Sequence, residues 1–165
     1  SYDDLKNNYK QFDNIIFENL AISVNNQISY LYKINPSKEK VYKSEHFKGI
    51  MSFDKNHLIK HGVKKNDIVQ ENVKSISIKG LIDKHNLRIF DLLFVDAEGY
   101  DADIINDFLV SSSIRPILIF EYVHVSSNKL LDLVDILKAK KYIFFSLSEN
   151  MLCFPEEDSN LIKFN

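Results

Sequence analysis

Apolar and polar positions along the chain switch period several times, and the sharpest switch falls at its centre. Leu92–Val95 is an unbroken apolar run, followed by Asp96, Glu98 and Gly99. Beyond it Tyr100, Ile104, Ile105, Phe108 and Leu109 recur at helical spacing. A short run apolar on both faces predicts a buried strand, and the change of period predicts a sharp turn into a helix. Earlier in the chain, Leu5, Tyr9 and Phe12 predict a helix over 2–12. Looser alternation over 14–22 and clean alternation over 27–34 predict two strands, and Asn25-Asn26 between them supplies the turn of a hairpin.

Residues 36–72 are polar, lysine-rich and irregular, with a short helix expected over 56–61 and ended by Gly62. A strand over 72–78 and a helix over 78–85 precede the central run. After it come a second buried strand within 114–124, entered at Pro116, and a helix through Lys140 that Ser127 or Asn128 would cap. Short strands at 142–147 and 151–154 end the pattern. Strands alternating with helices predict a doubly wound α/β domain.

Composition changes this picture little. The 165 residues suit one domain, and 45% hydrophobic with 27% charged content is that of an ordinary globule. A net charge of −2 argues against a general nucleic-acid binder. No run is apolar enough for a membrane span, and the lone Cys153, in an apolar stretch, has a packing role in a reducing, cytoplasmic setting.

The candidate chemistry lies at the carboxyl end of the central strand, the edge where open α/β sheets bind ligands. Asp96 and Glu98 are two apart; if the turn stays extended they project to one side, about 6–7 Å apart at the α-carbons. Such a pair can hold a cation or divide into acid and base. Asp101 and Asp103 suit the amino end of the following helix. His57 and His61, four apart on a short helix, have the spacing of a metal-binding pair, but no third ligand stands nearby in sequence and no metal is assigned there.

These residues resemble the FkbM family of S-adenosylmethionine-dependent methyltransferases. The likeness is carried by VKSISIKGLIDKHNLRIFDLLFVDAEGYD over 73–101, whose closing elements are Asp91-Leu92-Leu93, Asp96 and Glu98-Gly99. GIMSFDKNHLIKH over 49–61, RPILIFEY over 115–122 and NIIFENLAIS over 14–23 extend it to nearly the whole chain. Phe94 departs from the family, which often has lysine there. The resemblance implies a Rossmann-like class I methyltransferase fold, three-layered, with a mostly parallel sheet.

It also implies S-adenosylmethionine as cofactor, with Asp96 beside its methionine end and Ala21 and Ser52 contributing to its site. Glu98 or His124 would be the general base, or would help hold a divalent cation; Glu121 is a further catalytic candidate and Tyr100 would wall the acceptor pocket. The acceptor would be a sugar or another small-molecule hydroxyl.

Such enzymes open with a strand and a Gly-Xaa-Gly turn. Here the glycines are Gly49, Gly62, Gly80 and Gly99, no two close together. The chain is therefore expected to be an N-terminally truncated domain. The strand ending at Asp96 would then show an unpaired edge, needing a missing segment, a second copy or a different pairing to complete the sheet. A metal-dependent phosphoryl or hydrolytic enzyme using Asp96 and Glu98, and a non-catalytic methyltransferase-like binding module, are the rival readings.

Overall fold

The computed structural model describes residues 2–24, 29–44, 47 and 49–161. Its elements run α1 (Tyr2–Asn8), β1 (Ala21–Ile22), β2 (Ser29–Ile34), β3 (Met51–Ser52), α2 (Lys55–Lys60), β4 (Ile68–Val73), β5 (Ser75–Ile76), α3 (Ile78–Lys84) and β6 (Leu92–Val95). Then follow α4 (Asp101–Ser111), β7 (Ile117–Glu121), α5 (Ser127–Ala139), β8 (Tyr142–Leu147) and β9 (Asn150–Pro155), with short 3-10 turns at Pro36–Val41, Lys65–Asp67 and Glu156–Leu161.

The main sheet has the order β6-β7-β9-β8. Only β6 and β7 run parallel; β9 lies antiparallel to both β7 and β8. This corrects the expectation of a mostly parallel sheet. The reason lies in the connections: β7 and β8 are joined through helix α5, whereas β8 and β9 are separated by two residues, Ser148 and Glu149, and must return as a hairpin. Ser148 takes the left-handed conformation (φ 54°) that such a tight return requires.

Register divides the sheet's residues between two faces. On one face Leu93, Leu118, Cys153 and Phe144 stand in one row and Val95, Phe120 and Met151 in the next. These pack with Ile105 and Phe108 of α4, Ile78 and Ile82 of α3, and Leu133 and Leu137 of α5 into one core. Phe108, Phe120, Ile105, Leu118 and Leu137 are fully enclosed, each contributing about 1.5–3 kcal/mol of burial. On the opposite face Leu92 and Phe94 are 51% and 59% exposed. Among the described residues, no third layer of the kind expected from the resemblance is laid over β6. As expected, β6 is an edge strand: among the described residues it pairs with β7 alone.

A second, smaller core forms where the sequence looked irregular. Strands β3-β2-β4 make an antiparallel sheet, and Ile34, Ile50, Leu58, Val63 and Ile68 pack beneath it with Tyr32, Tyr42 and Phe47. The Tyr42 hydroxyl donates to Asp67 at 2.7 Å and accepts from the Lys64 amide at 3.0 Å, tying the loops together. The expected hairpin of 14–22 with 27–34 is not formed. Its first strand shortens to β1, which pairs in parallel with β5, while β2 takes β3 and β4 as neighbours. The Asn25-Asn26 turn lies outside the described residues.

The strand expected over 72–78 divides into β4, which joins this sheet, and β5. The helix expected over 2–12 stops at Asn8 and buries no side chain. Helix starts are fixed by caps at α2, where the Asp54 carboxylate accepts from the Asn56 amide at 2.8 Å, and at α3, where the Ser77 hydroxyl accepts from Gly80 at 3.0 Å. The N-cap of helix α5 is Ser126 rather than Ser127 or Asn128, and its side chain makes no capping hydrogen bond.

Candidate functional site

The turn after β6 is built around Asp101, which is fully buried. One of its carboxylate oxygens accepts from the Ala97 amide at 3.2 Å and the other from the Gly99 amide at 3.1 Å. Burial pushes its pKa above the ordinary carboxylate value, and the bonds from Gly99 and Ala97 work against that rise. So fastened, the turn is not extended. Glu98 has φ 49° and Gly99 φ 93°, both left-handed, and the Asp96–Glu98 pair therefore lacks the extended geometry expected of it.

Gly99 is required for a second reason. A Cβ there would lie 3.0 Å from the His124 carbonyl oxygen and 3.4 Å from its Cβ. The missing side chain lets the acidic turn press against the segment leaving β7.

Two cavities meet at this turn. The first, about 470 Å³, is bordered by Ala21, Ile22, Ser52, Phe94, Asp96 and Tyr100 among others. The second, about 350 Å³, is bordered by Asp54, His57, Lys60, Asp103, His124 and Lys129. Ser52, Phe53, Glu98 and Tyr100 line both. The Tyr100 ring lies 5.0 Å from that of Phe53, and its hydroxyl accepts from the Val24 amide at 3.4 Å, linking the end of β1 to the shared wall. Another cavity, about 530 Å³, opens beside Lys33, Glu39 and Tyr42 and shares Gly49 and Met51 with the first.

The candidate site residues read from the sequence gather around this region in different compartments, with Glu121 lining neither cavity. Asp96, Ala21 and Ser52 line the first cavity; Glu98 and Tyr100 stand between the two; His124 lines the second. Glu121, at the end of β7, has a carboxylate oxygen 3.8 Å from His124 Nε2. Donor atoms of Glu98, Glu121 and His124 all lie within 4.8 Å of one another, and Asp96 is outside that group. Burial raises the Glu121 pKa; His124 opposes the rise, while the charges of Glu98, Asp101 and Asp96 add to it.

Sequence reasoning missed the contribution of α2. His57 sits 3.6 Å (Nε2 to Oε2) from Glu98, with its ring 4.5 Å from that of His61 and 5.8 Å from that of His124. His61 and His124 rings are 5.6 Å apart. The four-residue spacing of His57 and His61 was the available signal. Their third neighbour arrives only when the smaller core folds against β7, 63 residues further along the chain from His61. Asp101 was assigned to the helix amino end, and its bonds to Ala97 and Gly99 could not be read from spacing.

The donor set of the first cavity fits an amino-acid-bearing adenosyl cofactor. Aliphatic Ala21 and Ile22 offer an apolar surface to a base, and the Asp96 carboxylate suits an ammonium group. The Tyr100 and Phe53 rings suit a nearby sulfonium charge.

Compared with known families, residues 2–144 match the model described as Methyltransferase FkbM domain. No curated protein matches, and no solved structure matches. No helix among the described residues is long and apolar enough to cross a membrane.

Proposed function

The chain belongs to the FkbM methyltransferase-domain family, and on that premise we propose that it moves a methyl group from S-adenosylmethionine to a hydroxyl of a sugar or another small molecule. The observation that carries this reading is the shared wall: Glu98 and Tyr100 separate a cavity suited to the cofactor from one furnished with proton-accepting groups. The cofactor supplies an electrophilic methyl carbon. Asp96 would hold its ammonium end, Ala21 its base, and Ser52 a polar edge.

The protein's own residues align the acceptor and take its proton. Tyr100 and Phe53 confine the acceptor at the junction, and alignment of this kind supplies about 7–11 kcal/mol of the barrier in favourable cases. His124, in the second cavity, accepts the hydroxyl proton. Glu121, 3.8 Å from its Nε2, and Glu98 then stabilise the imidazolium formed. Cytoplasmic location and the absence of nucleic-acid and membrane partners belong to the same reading.

The test is a melt with S-adenosylhomocysteine, followed by methyl transfer from labelled S-adenosylmethionine to a panel of sugar hydroxyls. A raised melting temperature, lost in Asp96→Asn, supports the cofactor assignment. Transfer reduced about 100-fold or more in His124→Gln, with the melt response intact, supports the base. No response in either assay would leave a methyltransferase-like binding module instead.

A further inference from the structure

We infer that His124, Glu98 and Glu121, with His57 beside Glu98, form a binding site for one divalent transition-metal ion of the zinc type, where α2, the acidic turn and the end of β7 converge. The site does not depend on the adenosyl cofactor, but it uses the His124 nitrogen that the proposed proton transfer needs, so while the ion is bound His124 is a ligand and not the proton acceptor.

Distances carry the argument. His57 Nε2 is 3.6 Å from Glu98 Oε2 and His124 Nε2 is 3.8 Å from Glu121 Oε1. Both separations exceed those of an N–H···O hydrogen bond, about 2.7–3.2 Å. Two ligands on one tetrahedral zinc, each about 2.0–2.1 Å from it, stand roughly 3.3 Å from each other. The pairs are thus spaced for a shared cation more nearly than for each other. Glu98, Glu121 and His124 each bring a donor within 4.8 Å of the other two, and His57 reaches the same carboxylate from α2.

A second, independent observation concerns His57. Its side chain is only 11% exposed, and its Nε2 is enclosed without a hydrogen-bond partner among the described residues. A buried ring nitrogen aimed at a carboxylate it does not bond is costly unless something lies between them.

The donor set selects the ion. An imidazole with two carboxylates, and a second imidazole at the Glu98 edge, suits zinc, iron(II) or cobalt(II), whereas magnesium prefers an octahedron of oxygens. Backbone geometry agrees, since Glu98 is held left-handed and Gly99 brings its turn within contact of His124.

The test uses the untagged chain, stripped with EDTA and exchanged into chelator-free buffer. Zinc and cobalt(II) are titrated by calorimetry, cobalt also by visible absorption, with magnesium run in parallel. His124→Gln and Glu98→Gln are compared first, because these side chains are 36% and 50% exposed and their replacement leaves the cores intact. Far-UV circular dichroism checks the fold, so that a collapsed His57→Gln would not decide the matter. The expected result is one zinc per chain, weakened about tenfold or more in each variant, with a cobalt spectrum lost in both and no comparable magnesium binding. Absence of saturable zinc binding, unchanged affinity in both folded variants, or equal affinity for magnesium would overturn the assignment.

Discussion

Replacing Asp101 tests how the acidic turn is held. Its two oxygens accept from the Ala97 and Gly99 amides at 3.2 and 3.1 Å, and the residue is fully buried. A hydrogen bond to a charged acceptor is worth about 1.5–3 kcal/mol. Losing two gives a gross loss of roughly 3–6 kcal/mol, offset by release of a desolvated charge whose cost shows in the raised pKa. Asp101→Ala is therefore expected to cost about 2–4 kcal/mol, and Asp101→Asn, which keeps one acceptor oxygen, about half that. For a chain of this size the alanine variant should melt roughly 5–15 °C lower.

The acidity shift adds a signature. Because burial raises the folded-state pKa above the ordinary value of 3.8, the folded protein binds this proton more readily than the unfolded chain. The associated stability is fully present below pH 3.8 and fades as pH rises through the folded value. Urea melts of wild type and Asp101→Asn across the acid range should converge toward neutrality in this component, which is absent from the variant. An alanine variant within about 0.5 kcal/mol of wild type would refute the role given to this carboxyl.

Other outcomes are equally definite. Gly99→Ala should cost about 1–2 kcal/mol from the left-handed backbone, and more from contact with the His124 carbonyl; it should also weaken zinc binding, read by urea melts and calorimetry. Burial pushes the Cys153 thiol up to about 12, so a thiol reagent should modify it only on unfolding; reaction in the native state would contradict its packed position. Arg115 donates to the Lys140 and Lys141 carbonyls and pairs with Glu157, so Arg115→Ala should loosen the Glu156–Leu161 turn, seen as faster amide exchange there.

The sequence revealed those parts of the fold whose cause is local. Leu92–Val95 and Ile117–Glu121 are bounded by charge, proline and changes of period, and both form strands at the positions read from them. Helices α3, α4 and α5 likewise follow their apolar spacing. What escaped depends on partners far along the chain. Strand β2 alternates cleanly, yet nothing in that alternation chooses β4 over the segment before it. The direction of β9 follows from a two-residue connection, not from its apolar content. At the site, the carboxylates were legible because acids stand out at the end of an apolar run. His57 joined them only through tertiary packing, and the left-handed turn at Glu98 is invisible to spacing.

The most direct test of the central claim is amide hydrogen exchange with and without S-adenosylhomocysteine. The account predicts added protection at residues 93–100 and 21–22, which border the first cavity, and none at Lys33, Glu39 and Tyr42, which line the neighbouring cavity but not the first. Unchanged exchange at both segments under saturating ligand, or protection confined to the Lys33 region, would contradict it.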